Sequence, residues 1–145
     1  MRGTRIVIVA SRFHEPIARA LVQGALHTLR RCGVREALTR LLWAPGAFEL
    51  PVVAAHAARA RPRPHAIIVL GALIRGQTPQ YEVIAHAVAH GLIALSVEIG
   101  IPVTFGVIVA ATPAQARARV GGAHGDRGAE AALAALSVLE LFERV

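Results

Sequence analysis

The chain has 145 residues, which is enough for one domain with a full core and too few for two. Apolar residues make up 54% and aromatic residues only 4%, so the core must be built from alanine, valine, leucine and isoleucine. The net charge is +7, but the basic residues are scattered and no aromatic residues alternate with them, which argues against nucleic acid as a partner.

The first half of the chain alternates between strand and helix patterns. Residues 5–10 are typical of a buried strand, and a helix begins at Pro16 and ends at Gly33 as a left-handed cap. Residues 38–43 predict a second strand, and residues 48–59 a helix. An Arg-Pro-Arg-Pro segment then stops that helix.

The second half continues the alternation. It predicts strands at 66–70 and 103–109, helices at 80–99, 112–120 and 129–143, and a flexible glycine-rich loop at 121–128. Four strands alternating with helices imply right-handed crossovers and one parallel sheet. The fold class is therefore α/β: a single three-layer α/β/α domain over residues 1–145, with a four-stranded parallel sheet in flavodoxin-like order.

The segment 71–82 carries the clearest functional signal. It follows the apolar strand 66–70, contains a glycine at each end of Ala-Leu-Ile-Arg, and leads into a long helix. Free amide donors and the positive end of a helix together bind a phosphate or another anion, and Arg75 and Thr78 add side-chain donors. An ordinary strand-to-helix connection would look similar, so the alternative stays open.

Ligands of such sheets bind beyond the carboxyl ends of the strands. Four segments should meet there: 11–14, 44–49, 71–80 and the stretch after Phe105. Phe13 lies on a predicted loop, where it is either an anchor or a platform for a flat ring. Glu49 begins a helix and is either a dipole partner or an acceptor for substrate hydroxyls.

Location and surface follow from composition. The mean hydropathy of +0.52 is high for a small domain, which predicts apolar surface that meets another subunit.

Arginine, histidine, glycine or proline interrupts each apolar run before it reaches the length of a membrane span, and no signal sequence is visible. The single Cys32 excludes an internal disulfide, so we expect a cytoplasmic protein with no membrane partner. All basic residues other than histidine are arginines. This fits an anionic small-molecule substrate, and it also fits the codon bias of a GC-rich genome.

Several motifs together resemble lumazine synthase. They are Ser-Arg-Phe13, Pro-Gly-Ala-Phe-Glu49, Gly-Ala-Leu-Ile-Arg-Gly-Gln-Thr78, Pro-Val-Thr-Phe-Gly106 and Arg119, in the order and spacing of that family. The resemblance covers nearly the whole chain. It implies riboflavin biosynthesis by a transferase-type condensing enzyme, in which 5-amino-6-(D-ribitylamino)uracil and 3,4-dihydroxy-2-butanone 4-phosphate give 6,7-dimethyl-8-ribityllumazine and phosphate.

The resemblance also implies a role for each matching residue. Phe13 would stack on the pyrimidine ring, and Glu49 would accept hydrogen bonds from the ribityl hydroxyls beside it. The remaining substrate-binding residues are Ala47 and Phe48 on the ribityl chain, Ala72, Leu73 and Ile74 around the pyrimidine, and Phe105 from a neighbouring subunit. The phosphate-binding residues are Gln77, Thr78, Arg119 and Arg127. No metal and no organic cofactor are implied.

One departure from the family bears on catalysis. The family has a proton-transferring histidine two residues after the threonine of its Ile-Arg-Gly-x-Thr motif, and this chain has Gln80 there. Glutamine forms hydrogen bonds but does not exchange a proton near neutral pH, so acid–base help of about 10²–10⁴-fold would be missing. Proximity of two bound substrates remains, and we expect a slow enzyme. His14, at a position where the family commonly has asparagine, is a candidate substitute base.

Other departures concern the assembly. The resemblance implies a homopentamer, which in the family also builds a 60-subunit icosahedral shell. Family members often carry a segment before the first strand that adds to a neighbour's sheet, and this chain starts almost at that strand, which favours the pentamer. Family lysines in the glycine-rich loop appear here as Ala123 and Arg127, so the electrostatic attraction for phosphate is weaker at one of these two positions.

Two other interpretations remain. His86 and His90 lie one helical turn apart, a spacing that can bind zinc, although no general-base glutamate lies between them and no third ligand is evident. A polar helix face is the alternative for this pair. The protein as a whole could also be a non-catalytic relative, a ligand-binding or shell-forming scaffold that lost the histidine.

Overall fold

The computed structural model describes residues 1–145. The strands are β1 (Ile6–Ser11), β2 (Thr39–Ala44), β3 (Ala66–Ile74), β4 (Val103–Ala110), β5 (Val120–Gly122) and β6 (Gly125–Asp126). The helices are α1 (Glu15–Arg31), α2 (Leu50–Ala58), α3 (Gln80–Ile99), α4 (Pro113–Arg117) and α5 (Arg127–Phe142), with short 3₁₀ turns at Glu36–Leu38 and Ala47–Glu49.

The four long strands form one parallel sheet in the order β2-β1-β3-β4. Helices α1 and α5 cover one face of the sheet, and α2 and α3 cover the other. The predicted α/β class, with three layers and a flavodoxin-like four-stranded sheet, is confirmed.

Two separate cores explain why the strands are continuously apolar. In β1 the side chains of Ile6, Ile8 and Ala10 point to α1 and α5, whereas those of Val7 and Val9 point to α2 and α3. Both faces of a parallel sheet are covered by crossover helices, so neither alternate set can be polar. The sheet is thereby a rigid platform for the loops at its ends.

Local signals fixed several helix ends as predicted. Gly33 has a φ of 83°, in the left-handed region that favours glycine, and follows the last residues of α1. Thr112 caps α4, since its hydroxyl accepts a hydrogen bond from the Gln115 amide at 3.1 Å, with Pro113 at the first helical position. Helix α3 has the predicted bounds and ends at Gly100.

The predicted end of the third strand is wrong. The strand continues through Gly71 to Ile74, because β4 pairs with it as far as Ile74↔Ala110. Gly71 is a packing residue here: a Cβ at this position would lie 2.6 Å from Ser11 Oγ. The turn that leads into α3 is therefore shorter than predicted and begins at Arg75.

The predicted flexible loop at 121–128 is also corrected. Strands β5 and β6 form a small antiparallel hairpin, with left-handed glycines at Gly121 and Gly125. Asp126 then caps α5, because its carboxylate accepts hydrogen bonds from the amides of Gly128 and Ala129 at 2.9 and 3.1 Å. The backbone pairs with itself and with the next helix, so this segment has regular structure.

Helix α3 meets the length and composition of a membrane span, contrary to the expectation that no apolar run does. One of its faces, which includes Ala85, Val88 and Leu92, packs beneath the sheet. The opposite face exposes Ile93 and Val97. A core helix passes the same test, so length and composition do not assign α3 to a membrane.

Candidate active site

The carboxyl ends of the strands gather the predicted segments at one edge of the sheet. Two backbone hydrogen bonds tie neighbouring strand ends together beyond the sheet: the Arg12 amide donates to Ala44 O, and the Arg75 amide donates to Ala110 O, both at 2.9 Å. The residues that follow β1 and β2 therefore begin side by side, and so do those that follow β3 and β4. This edge is the place where a parallel sheet binds its ligands.

Strand β3 extends beyond its neighbour on one side. Its pairing with β1 ends at Leu70, whereas its pairing with β4 continues to Ile74. Ala72 and Leu73 bury their side chains in opposite cores, so only their backbone groups can serve a ligand. From Ala72 onwards the strand has no ladder partner on the β1 side, which leaves backbone donors and acceptors for a flat polar ring.

An exposed aromatic ring follows β1. Phe13 is 62% exposed and contacts the His14 ring edge-on, with a centroid distance of 4.7 Å and an interplanar angle of 76°. His14 adopts the left-handed conformation with φ 55°, which is uncommon outside glycine and asparagine, and its carbonyl accepts the first hydrogen bonds of α1. The turn thus holds both rings outside the core.

The 3₁₀ turn after β2 supplies a free carboxylate. Ala47 is buried and anchors the turn, while Phe48 is 65% exposed. Glu49 is half-buried, and its carboxylate has no hydrogen bond or ion pair within the chain. An unpaired carboxylate at this edge of the sheet is a strong acceptor for ligand hydroxyls.

The turn after β3 supplies free amides. The amide groups of Gly76, Gln77, Thr78 and Gln80 donate to no acceptor within the chain, and the side chains of Gln77 and Thr78 have no partner either. Gln80 is the first residue of the 20-residue helix α3 and is exposed. Free amides at the positive end of a long helix form an anion site.

Next to Gln80 lies the one titratable residue of this turn with a shifted pKa. The Tyr81 hydroxyl donates to Glu82 Oε1 at 3.0 Å, and this hydrogen bond raises the pKa of Tyr81, with smaller contributions from desolvation and from the glutamate charge. The phenol is therefore neutral over the physiological range and does not act as a base.

The two candidate phosphate-binding arginines differ in their partners. Arg119 is half-buried, donates to Gln115 O at 2.8 Å and has no carboxylate within 4 Å. Arg127 forms an ion pair with Glu130 at 2.5 Å. The Arg127 amide donates to Arg119 O at 2.9 Å, so the β5–β6 hairpin fixes the backbone of both. Arg119 has the free charge, and Arg127 shares its charge with Glu130.

Phe105 lies away from the other candidates. It pairs with Val69 in the middle of β3, five residues before the end of β4 at Ala110, or about 16 Å along the strand. Its ring is 43% exposed and lines a groove beside α3 together with His86 and His90. Within one chain Phe105 does not join the edge site.

The two histidines of α3 have no further metal ligands nearby. No group of three or more histidine, cysteine, aspartate or glutamate side chains is arranged to hold a metal ion. Both imidazoles are exposed and make no hydrogen bond within the chain. The structure therefore shows two histidines on one face of α3 without a third ligand that would complete a metal site.

Sequence reasoning missed two features of this edge. Ser11 is fully buried, and its hydroxyl, which has no hydrogen-bond partner, fills the space left by Gly71. The hairpin that carries Arg127 was hidden by its glycines, although Asp126 before an apolar run is the signal of a helix cap.

The fold and the edge together define a class: a flavodoxin-like α/β protein with free backbone amides and an unpaired carboxylate among the loops at its carboxyl edge. The family model described as 6,7-dimethyl-8-ribityllumazine synthase matches residues 3–143. Curated relatives of the same name include one from Gemmatimonas aurantiaca, 47% identical over 98% of this chain and 86% of its own, and one from Aquifex aeolicus, 45% identical over 97% and 91%. A relative from Thermus thermophilus is 40% identical over 99% and 91%. The chain belongs to the 6,7-dimethyl-8-ribityllumazine synthase family, a family of transferase-type condensing enzymes of riboflavin biosynthesis.

Proposed function

We propose that this protein joins 5-amino-6-(D-ribitylamino)uracil to 3,4-dihydroxy-2-butanone 4-phosphate. The amine and the ketone form a Schiff base, phosphate leaves, and ring closure with loss of water gives 6,7-dimethyl-8-ribityllumazine. The observation that carries the proposal is the set of free amides at the start of α3, which follows the overhang of β3.

The pyrimidine half of the site would use the overhang and the exposed ring. Phe13 would stack on the uracil, and the backbone of residues 72–74 would pair with its polar edge, since this part of β3 lacks a partner on the β1 side. Glu49 would accept hydrogen bonds from the ribityl hydroxyls, with Ala47 and Phe48 shaping the wall. This division explains why Glu49 has no partner within the chain.

The phosphate half would use the amides of Gln77 and Thr78, the Thr78 hydroxyl and Arg119. Helix α3 adds its positive end, and a guanidinium without a carboxylate partner binds phosphate through paired N–H donors. Arg127 would contribute only by giving up its contact with Glu130. We therefore assign the main ionic contact to Arg119.

The site would be completed by a second copy of the chain. Phe105 is about 16 Å from the carboxyl end of its own strand, so it serves the site only if a neighbouring copy presents it. Ile93 shares the groove of Phe105, and with Val83 and Val97 it forms the exposed apolar residues of α3 that such a copy would cover. A homopentamer in the cytoplasm is the assembly we expect, and a 60-subunit shell is the larger alternative.

Catalysis would rest mainly on positioning. Two substrates held together gain up to about 7–11 kcal/mol from proximity, whereas a positioned acid–base group adds about 10²–10⁴-fold. Gln80 cannot supply the second contribution. His14, held next to Phe13 in a left-handed turn, is the candidate that could replace it.

Gln80 also favours a second function, a non-catalytic protein that binds the ribityl pyrimidine or builds a shell. The unpaired Arg119, Glu49 and amides of the turn speak against it, because a scaffold without substrate would gain stability from pairing them within the chain. Binding of the pyrimidine without product above the uncatalysed rate would support this second function.

Mixing two impaired variants tests whether two copies share the site. Phe13→Ala and Phe105→Ala should each lower kcat/KM by about 10–100-fold, the cost of losing one stacking contact. Unfolded together and refolded as mixed oligomers, they should recover about a quarter of the wild-type rate, because a quarter of the shared sites keep both rings.

Each variant refolded alone is the control and should keep its own lowered rate. If the mixture stays as inactive as its components although native mass measurements show mixed oligomers, Phe105 does not come from a neighbour. A monomer by the same measurement would contradict the shared site directly.

A further inference from the structure

A cavity of about 630 Å³ lies at the amino edge of the sheet, opposite the candidate active site. Its walls come from the residues just before β1, β3 and β4 and from the end of α5. Strand β3 separates the two edges by about 26 Å, so this cavity belongs to neither substrate half described above. Its volume lies in the range of small-molecule sites.

Two arginines are held in position at this cavity by backbone contacts. Arg5 Nε donates to Arg63 O at 2.8 Å, and Arg63 in turn donates to Ile99 O. Neither guanidinium has a carboxylate within 4 Å. Each has further N–H groups without an acceptor, so the pair presents oriented donors and unbalanced positive charge.

A histidine adds a neutral donor of known tautomer. The Arg5 amide donates to His65 Nδ1 at 2.8 Å, so Nδ1 is unprotonated and the proton of the neutral ring resides on Nε2. Burial lowers the pKa of His65, and the charge of Arg5 lowers it further. Near neutral pH the imidazole is therefore an N–H donor without charge.

The opposite wall is apolar. Ile101, Leu139 and Phe142 line it, and Phe142 leaves 52% of its surface exposed. Glu143 is the one acidic residue of the lining and has no ion-pair partner within 4 Å. Two guanidinium groups against one carboxylate leave the side chains of the lining with a net positive charge, and an aromatic ring is part of the same lining.

We propose that this amino-edge cavity binds a small organic anion, a carboxylate or a phosphate monoester with a flat apolar body. The anionic group would accept from Arg5, Arg63 and His65 Nε2–H, and the body would pack on Phe142 and Leu139. This inference does not depend on the proposed condensation, because it uses no residue of the carboxyl edge.

Benzoate and phenyl phosphate are the probes, each titrated by calorimetry into the full-length protein. The Arg119→Ala variant serves as the host, because it removes the main anion contact of the candidate active site. We expect saturable binding of one molecule per chain in this host. The tighter of the two probes distinguishes a carboxylate site from a phosphate site.

Adding Arg63→Ala to that host should weaken binding at least 10-fold, the effect of losing a charged hydrogen bond. Arg30→Ala, an exposed arginine at the end of α1, is the matched control and should leave binding unchanged. Phe142→Glu keeps both arginines and introduces a like charge at the wall, so it should abolish binding even if Arg63→Ala perturbs folding. No saturable binding of either probe, or equal affinity in Phe142→Glu, would overturn the proposal.

Discussion

Replacing Gln80 with histidine should raise kcat for lumazine formation on the order of 10²-fold. The residue begins α3, next to the free amides of the turn, so an imidazole there would lie beside the proposed phosphate site. The positive end of the helix favours the neutral ring, which can accept a proton. The measurement is kcat by the absorbance of the product at saturating concentrations of both substrates.

A pH profile separates proton transfer from a change in positioning. Gln80→His should introduce an inflection on the acid side, below the ordinary imidazole pKa of about 6.5 because the helix end favours the neutral ring, and the wild type should lack this inflection. Gln23→His, the same substitution on the exposed face of α1, is the matched control and should leave kcat unchanged. If kcat of Gln80→His equals that of the wild type, acid–base chemistry at this position does not limit the rate.

The same kcat assay tests whether His14 transfers the proton. If His14 has taken over proton transfer, His14→Ala should lower kcat in the wild type and have little effect in Gln80→His. Because His14 also holds a left-handed turn, His14→Asn is the better comparison: asparagine tolerates that conformation and removes only the imidazole. An unchanged kcat in His14→Asn would dismiss the substitute base.

Replacing Gly128 with alanine should destabilise the protein by about 3 kcal/mol, the largest effect on stability that we expect. A Cβ at this position would lie 2.1 Å from Leu21 O and 2.8 Å from Leu21 C, which are backbone atoms of α1 that cannot move aside. Helix α5 would have to shift away from α1, and with it Arg127 at its start. Urea unfolding at matched protein concentration measures the change, because assembly contributes to stability.

Gly3→Ala is the control for that substitution. A Cβ at Gly3 meets nothing within 4 Å, and its φ is not positive, so we expect a change within about 0.5 kcal/mol. Equal unfolding midpoints for Gly128→Ala and Gly3→Ala would show that α1 and α5 pack less closely than described.

Predictions from the sequence were correct for features that depend on residues close together in the chain, and wrong for features that depend on distant contacts. The bounds of α3 and the caps at Gly33 and Thr112 depend on neighbours in sequence, and the predictions for them are correct. The end of β3 depends on its pairing with β4 as far as Ala110, and Gly71 within the strand is required by Ser11, sixty residues away. A glycine after an apolar run looks like a strand end unless that contact is known.

The candidate site also combines features that depend on nearby residues with features that depend on distant contacts. Free amides before α3 were predictable, because a glycine-containing turn ahead of a helix lacks acceptors for its first donors. The overhang of β3 was not, since it depends on two different pairing lengths with β1 and β4. Strand position likewise separates Phe105 from the edge, a fact that sequence order alone does not reveal.

The interpretation as a whole depends on one chemical event at the carboxyl edge. Purified wild-type protein, given the ribityl pyrimidine and the butanone phosphate, should form lumazine and release one phosphate per product above the uncatalysed rate, although more slowly than a Gln80→His variant. Product at no more than the uncatalysed rate, from a folded protein that still binds the pyrimidine, would contradict the proposed reaction and leave a binding protein in its place.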